Sequence, residues 1–494
     1  MSQIILNSAE NSALIQTLQQ SDSKVIPSIY STKEIYAPSA TTWFNQEPSS
    51  GAQPTAGSSL TYDLNKYGIA EQMLFTFALN ATATMPGQLA RCLAAPVGYI
   101  YELIDRVDFL SSSRVISTIY AEDLRAQHTN LSHGELGPVV QTAIGAKFGA
   151  TTAGGAAGLT SEINAEYCVP INFGFMKDIN TQPNLSFMES CQVRITFKRP
   201  AYLFIASSNG VIESPTGTST NVSPATLSAA GVTFSGGAGL SATLPVLQVR
   251  YKQYGEADTA QLLAENYNAE QLNMLTSRCF RENPKSFTHT GGAAGVVTHA
   301  IDLRNVDVVK AFYVFVTRDV DQGNTEVFTS VVGTRSPQMC FEIQKIRVTA
   351  SGQEICTINS TQNLYSRLTE NGQSINAVAS GVALTSLTGT SADALQLHNV
   401  YKVQTGLYEN DGGGAWSNGW SMREMTNMRI EVTLPATAPG GAGIGTVSDY
   451  RFRGRIEEQV AGVSCNYTIH VVEDCSTILS TASNTGRTVN SLTN

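Results

Sequence analysis

The second half of this chain repeats the pattern of the first. Tyr62-Asp63-Leu64, followed by Met73-Leu74-Phe75-Thr76-Phe77, has a counterpart in Ile301-Asp302-Leu303 followed by Phe312-Tyr313-Val314-Phe315-Val316. The offset (301 − 62) is 239 residues, with no gap. It also carries Ile104, Val107, Phe109, Ile116, Thr118 and Ile119 onto Ile343, Ile346, Val348, Ile355, Thr357 and Ile358. Ser113 falls on Gly352, at the turn between the two apolar clusters. Val193-Arg194-Ile195 matches Met428-Arg429-Ile430 at 235 (428 − 193), and Leu247, Val249 and Tyr251 match Tyr467, Ile469 and Val471 at 220 (467 − 247). The blocks keep their order, and the shrinking offset gives the first copy longer late loops. A period this long is not that of a solenoid, so each copy should be a domain of a tandem duplication.

Each copy reads as β. Met73, Phe75, Phe77 and Leu79 alternate with their neighbours, as a half-buried strand requires. Val193, Ile195 and Phe197 do the same, as do Leu247, Val249 and Tyr251. Pro, Gly, Asn and Ser clusters punctuate these runs, which favours a sandwich or barrel. Two segments read as helix instead: 119–127, and a connecting helix over 257–275 with Leu262, Leu263, Leu272 and Leu275. Three Gly/Ala/Ser/Thr-rich stretches, 143–160, 206–244 and 376–394, are long for loops, so each is functional or covered by a partner. In the first 24 residues, Leu14, Ile15 and Leu18 suit a weakly amphipathic turn of an arm that docks on a neighbour or an inner layer, or frays.

A chain of 494 residues has room for two large domains. Charged residues are 14%, below the usual quarter of a soluble protein, and Ser, Thr, Asn, Gln and 41 Gly carry the polar share. That suits a turn-rich β protein with much surface buried against partners. Net charge is −9, and the first thirty residues carry only Glu10, Asp22 and Lys24. A protein that condenses nucleic acid needs many phosphate-neutralising cations. Arg451, Arg453 and Arg455 are the nearest candidates and read better as outward residues of an edge strand. Direct nucleic-acid binding is therefore not expected. The eight cysteines form no Cys-x-x-Cys and read as reduced core residues of a cytosol-made protein. The start has no basic n-region, so no signal peptide is expected. No stretch approaches the ~20 apolar residues of a membrane helix.

Catalytic motifs are missing: no phosphate loop, no Gly-x-Ser-x-Gly, no His-Glu-x-x-His. His128 and His133 stand five apart, too few ligands for a zinc site. Residues 319–326 have oxygen ligands that Ca²⁺ prefers but lack the full loop pattern, and read as a polar turn. Residues 410–414 read as a hairpin turn. Sequons at Asn80, Asn221 and Asn359 arise readily in this composition. Trp416 and Trp420, with Tyr408 nearby, form either a sugar-stacking platform or a subunit contact, where Trp and Tyr are favoured anchors. No catalytic, metal or cofactor-binding residue is expected, and no cofactor.

Residues 99–109 (Tyr-Ile-Tyr-Glu-Leu-Ile-Asp-Arg-Val-Asp-Phe), then 119–124, resemble a strand, turn and short helix of the double jelly-roll major capsid proteins of eukaryotic double-stranded DNA viruses. Pro170-Ile171-Asn172-Phe173-Gly174-Phe175, with Leu185 and Val193-Arg194-Ile195, resembles that family's proline-led strand and the strand after it. Leu247 to Tyr251 resembles the end of its first roll, and residues 343–352 the matching strand and turn of its second. Trp420-Ser421-Met422 leading into Met428-Arg429-Ile430 resembles the stretch before its late strand. The resemblance spans most of 30–480 and extends to large nucleocytoplasmic viruses, virophages and polinton-like viruses. It implies an all-β chain of two tandem eight-stranded jelly rolls with short helices in the connections. The division would be an N-terminal arm 1–24, a first roll 25–256, a linker 257–282, a second roll 283–480 and a tail 481–494. It further implies a non-enzymatic homotrimer, a pseudo-hexagonal capsomer tiling an icosahedral shell. Its partners would be itself, neighbouring trimers and minor capsid, penton or inner-membrane proteins. The virion would be its location, after synthesis and assembly inside the host cell. The rival reading is a carbohydrate-binding or carbohydrate-active jelly-roll protein.

Overall fold

The computed structural model describes residues 39–50, 57–85, 91–95, 98–131, 143, 147–148, 150–152, 159–176, 182–186, 188, 190–198, 204–207, 212–213, 233–235, 244–255, 271–290, 297–305, 307–318, 343–359, 377–379, 395–397, 400–405, 419–434, 464–482 and 487–490. In the first half the elements are β1 (Ser39–Gln46), β2 (Ser59–Asp63), β3 (Ile69–Met85), β4 (Arg91–Ala95), α1 (Tyr99–Leu103), β5 (Ile104–Ser111), β6 (Arg114–Tyr120) and α2 (Ala121–Leu131). There follow β7 (Lys147–Phe148), β8 (Ala150–Thr152), β9 (Leu159–Ile171), β10 (Cys191–Phe197), β11 (Phe204–Ser207), β12 (Ile212–Glu213), β13 (Thr233–Ser235) and β14 (Val246–Tyr254). One sheet runs β1-β14-β3-β9-β8 and the other β2-β10-β5-β6. This order, with sequence-distant strands side by side, is that of a jelly roll. A small sheet, β12-β11-β4-β7, lies beside β9 and β8.

Alternation drives the packing. Along β10, Cys191, Val193, Ile195 and Phe197 are buried while the residues between them are half-buried. One core takes side chains from both sheets: Tyr62, Phe109 and Val193 from one, Phe75, Phe77, Tyr167 and Val249 from the other. Phe77 stacks on Tyr167 with centroids 5.0 Å apart, and Phe173 on Phe175 at 5.4 Å. Burying each such side chain stabilises by roughly 1.5–3 kcal/mol.

The second half contains β15 (Gln271–Arg281), β16 (Lys285–Thr290), β17 (Val297–Asp302), β18 (Val308–Arg318), β19 (Lys345–Ala350), β20 (Gln353–Asn359), β21 (Ala377–Ala379), β22 (Leu395–Leu397) and β23 (Tyr401–Gln404). It ends with β24 (Trp420–Ser421), β25 (Arg429–Leu434), β26 (Ser464–Ala482) and β27 (Arg487–Asn490). Its sheets run β15-β26-β18-β23, with β16 also on β26, and β17-β25-β19-β20. The order β15-β26-β18-β23 follows β1-β14-β3-β9 of the first half, and β17-β25-β19-β20 follows β2-β10-β5-β6, while β8 and β16 have no counterparts among the described residues; a second core fills the space between.

The duplication extends to irregular detail. In the β5–β6 hairpin the register shifts between Phe109 and Leu110, and in β19–β20 between Val348 and Thr349, 239 residues on (348 − 109). The turns are Ser112-Ser113 and Ser351-Gly352, all four with positive φ, as a tight hairpin turn matched to strand twist needs. The late strands correct the sequence alignment. Val193 pairs with Tyr62 and Phe109, whereas Ile430 pairs with Ile301 and Val348, so the offset there is 237 (430 − 193) rather than 235. Leu247 opposes Phe75 and Val471 opposes Val314, giving 224 (471 − 247) rather than 220. Both slips are even, so each kept the same face of its sheet.

Two helix readings change. The segment 119–127 is helical only from Ala121, since Ile119 and Tyr120 finish β6. Of 257–275, residues 271–275 are strand, the start of β15, and 257–270 lie outside the described residues. The i, i+3 spacing of Leu272 and Leu275 suggested a helix. Eleven residues of ladder against β26 override it. Tyr99–Leu103, read as the start of a strand, is instead a helical turn ahead of β5. Of the cysteines, Cys191 and Cys475 are buried, while Cys168, Cys279 and Cys356 are half-buried; none of these five is in a disulfide.

Candidate subunit-contact surfaces

Of the residues singled out from sequence, Trp420 sits in β24 opposite Val309, half-buried, its ring 5.9 Å from that of Phe312 in the second core. Tyr408 and Trp416 lie outside the described residues. So do His133, Asn221, residues 1–24, 319–326, 410–414 and 451–455, and most of the three Gly-rich stretches. His128 lies buried on α2. Its Nε2 donates to the Pro170 carbonyl at 2.9 Å, so Nδ1 is the bare nitrogen that accepts from the Tyr101 hydroxyl at 2.9 Å. Burial holds this ring down to about 4. It is a neutral structural histidine, already engaged at both nitrogens. Asn80 is a half-buried residue of β3. Among the described residues no group of three His, Cys, Asp or Glu could hold a metal ion, and no helix is long and apolar enough to cross a membrane.

What the fold does bring together is a junction between the rolls. The helix α2 begins because Asp123, in its first turn, reaches back to accept the Tyr120 amide at 2.9 Å, one arm of a capping box. The helix then lies on the outer face of the second roll. Ala126 packs with Ala311, Tyr313, Phe315, Val400 and Val472, and half-buried Cys279 joins them. Gln127 Nε2 is 3.7 Å from Cys279 Sγ. The Arg125 guanidinium stands 4.5 Å from the Tyr101 ring centre and 5.6 Å from that of Phe315, so it bridges the rolls as a stacked cation.

Charge completes the contact. Arg281 of β15 reaches Glu122 of α2 at 3.1 Å and lies 3.4 Å over the Tyr120 ring; Lys198 reaches Glu122 at 3.6 Å. Burial alone would raise the Glu122 carboxyl. Lys198, His470, its own backbone amide and Arg281 outweigh that and hold it down to about 2. Asp123 goes the other way, pushed up to about 7 by burial. His470, stacked on Phe315 and 2.8 Å from Thr317 Oγ1, is held down to about 4, chiefly by burial. The backbones touch where a 3-10 turn, Gly174–Met176, meets β15. A Cβ on Gly174 would lie 1.5 Å from the Ser277 carbonyl oxygen, so only glycine fits.

A second polar cluster lies inside the second roll. Glu282 accepts the Arg304 amide at 2.6 Å, the Asn305 amide at 3.1 Å and Arg304 Nε at 3.2 Å. Asn305 Nδ2 donates to Glu473 at 2.6 Å and to Cys475 Sγ at 2.8 Å. Burial pushes Glu473 up to about 8 and raises the Cys475 thiol. A protonated, buried thiol is a poor nucleophile, so this cluster organises packing rather than chemistry.

Among the described residues, β1 and β20 carry exposed apolar side chains. Strand β1 has one strand neighbour among the described residues, β14, and its Trp43 is 45% exposed. On β20, Ile355 is 39% exposed, whereas its counterpart Ile116 on β6 is 8% exposed. Sequence reasoning missed Trp43, Glu122, Arg125 and Arg281. The one legible signal was the eight-residue strand around Trp43, which carries no charge.

No protein-family model matches this chain, and no curated protein does. Solved structures resemble it over nearly its whole length. A chain of the PBCV-1 virus capsid aligns with a TM-score of 0.56 over 94% of this chain and 99% of that one, at 10% identity. The mavirus major capsid protein gives 0.54 over 96% of each chain, at 11% identity. The Faustovirus major capsid protein gives 0.50 over 97% of this chain and 98% of its own, at 11% identity. Likeness at such low identity speaks for the fold: the chain is a double jelly roll.

Proposed function

We propose that this chain, a double jelly roll like the capsid proteins it resembles, is itself a major capsid protein. Three copies form a ring of six rolls, and these pseudo-hexagonal tiles cover the faces of an icosahedral shell. The observation that carries the reading is that both rolls, and the order joining them, match capsid proteins end to end. The junction supports the trimer. It is heterologous, the first roll's α2 against the second roll's β15, and repetition of such a contact closes into a ring when the rotation allows.

Assembly is then the mechanism: apolar burial inside each ring, and weak lateral contacts repeated between rings. Minor capsid, penton or inner-membrane proteins would be the other partners, and the virion the location. The net charge of −9 fits a genome held behind another layer rather than on this protein. No residue is assigned a catalytic role. The carbohydrate reading gains nothing from Trp420, whose ring packs against Phe312. The test is native mass by light scattering after size exclusion. The trimer expects 3 × 52.8 kDa, about 158 kDa. A monomer at every concentration would contradict it.

A further inference from the structure

The second roll carries a strand with no counterpart in the first. Strand β15 is its version of β1: Phe44 lies opposite Val249, and Phe280 opposite Glu473, the residue 224 further on (473 − 249), which puts Cys279 in the place of Trp43. After β1 the chain crosses to the other sheet, where the Ser49 amide donates to the Thr61 carbonyl at 2.7 Å and the Thr61 amide to the Ser50 carbonyl at 3.0 Å. After β15 it stays on β26 instead, and β16 adds a ladder from Lys285 opposite Ile469 to Thr290 opposite Ser464. Ser286 and Thr288 take one face of β16, bonded to Thr468 at 2.9 Å and Asn466 at 2.8 Å. Phe287 and His289 take the other, toward the space between the sheets.

That inward face closes the end of the roll. Phe287 stacks on Tyr467, its partner on β26, with centroids 5.6 Å apart. It also meets the ring of His299, on β17 in the facing sheet, at 4.2 Å. His299 is half-buried, and His289 is 6% exposed. The position 239 residues before His299 is Leu60 (299 − 239), a fully buried apolar residue of the first core. Here the second roll has an ionisable ring in its place. The Nε2 atoms of His289 and His299 are both buried, and neither has a hydrogen-bond partner among the described residues.

The surrounding charges offer these rings no anion. Lys285 of β16 is a cation near His299, and on β18 the residue opposite Tyr467 is Arg318. On β25, Val432 and Leu434 point inward, while Glu431 takes the outer face with Arg347 at 3.3 Å. Asp302 of β17 is exposed and bound to Arg429 at 2.8 Å. Glu473 of β26 lies six residues beyond Tyr467 (473 − 467) and keeps its proton up to about 8. His470 belongs to the outer face, against Phe315. Burial holds His289 and His299 below the ordinary 6.5, and Lys285 adds to the effect on His299.

We propose that β16 is an acid-released latch: when His289 and His299 take up protons, the Phe287 contact opens and β16 leaves the end of the second roll. An imidazolium without an acceptor is costly in an apolar seam and stable in water, so protonation favours the open form. The sign follows. The open form binds more protons below 6.5, so the closure is fully present above that pH and is lost as pH falls through the depressed values. The capsid reading supplies only the use: a shell closed near neutral pH would loosen in an acidified compartment, as histidine switches do.

The experiment measures amide exchange of the full-length chain at about pH 7.5 and about pH 5.5, corrected for the intrinsic pH dependence of exchange. His128 and His470 are also held neutral by burial, so a global melt would mix their effects with this one. A strand-by-strand readout separates them. Protection of Lys285–Thr290 should fall at least about tenfold in acid, while Ser59–Asp63 of the first roll stays within about twofold. The double variant His289→Gln, His299→Leu should hold β16 protection level across the range. A wild-type β16 that keeps its protection overturns the latch, and so does a double variant that loses protection as the wild type does. Should the double variant melt early, the wild type still decides, because parallel losses in Ser59–Asp63 and Lys285–Thr290 mean general acid unfolding and overturn the proposal. The two readings fail separately. A level β16 profile in a chain that forms trimers removes the latch alone, and an opening β16 in a chain that stays monomeric supports the latch while removing the trimer.

Discussion

The two rolls share a frame and differ in what fills it. The first roll pairs Asp108 with Arg194 at 2.8 Å; at the equivalent places the second pairs Arg347 with Glu431 at 3.3 Å, the signs exchanged. Glu71 binds Arg250 at 3.1 Å, and the corresponding residues are Lys310 and Asp474, again exchanged. The Asp63–Gln192 bond at 2.7 Å becomes Asp302–Arg429 at 2.8 Å. What the fold requires at these cross-strand sites is complementarity, not a given charge. The cores diverge further. The first is rich in aromatics, while the second places Glu473 where the first has Val249, and Cys475 where it has Tyr251. The second roll has also turned part of an outer face apolar to receive α2.

The largest expected effects follow from the core difference. Phe77→Ala removes a stacked, fully buried ring and should cost about 3–5 kcal/mol. Its counterpart Val316→Ala loses two methyls and should cost about 1.5–2 kcal/mol at ~0.8 kcal/mol per carbon. Urea melts of the two variants measure both, and equal losses would break the contrast.

Next comes Glu473. The folded protein holds its proton well above the ordinary carboxylate value, to about 8. Its contribution is therefore fully present below pH 4.5, the ordinary value, and is lost as pH rises through about 8. The slope is at most about 1.4 kcal/mol per pH unit. Glu473→Val, which restores the first roll's residue, should flatten that decline between pH 5 and 8. Thermal midpoints across that range are the readout. An unchanged slope would mean the acid stays ionised in the fold.

Asp108→Arg alone puts a third cation beside Arg106 and Arg194 on one sheet and should cost about 3–5 kcal/mol. Adding Arg194→Glu recreates the second roll's arrangement and should recover most of it. A double variant no better than the single would deny the equivalence of the two sites. The pair in the second roll is more exposed, so Arg347→Ala should cost under about 1 kcal/mol.

The smallest effect lies in the matched hairpins. Ser113 and Gly352 both have positive φ, at 66° and 81°. Gly352→Ala should cost about 1 kcal/mol from left-handed backbone, and Ser113→Gly should change stability by a few tenths of a kcal/mol.

Much of this was legible in the sequence because a strand shows every second residue to the core. The gap-free 239 offset placed β2, β3, β5, β6 and their copies correctly. The same period explains the errors in β25 and β26, since sliding a strand by two or four residues leaves the pattern intact. The junction was not legible, because the buried face of α2 carries Asp123, Arg125, Gln127 and His128, which look like a solvated helix. Their partners come from both rolls: Tyr101, Tyr120 and Pro170 of the first, Cys279 and Phe315 of the second. Trp43 was hidden for the opposite reason. It is conspicuous only once Cys279, its covered counterpart, is known.

The central claim is that one heterologous contact, made once inside the chain, recurs between chains to close a ring. Electron-microscopic class averages of the purified assembly test it most directly. The expected image is a closed ring of six similar lobes with three-fold symmetry. Isolated two-lobed particles, or pairs related by a two-fold axis, would contradict it.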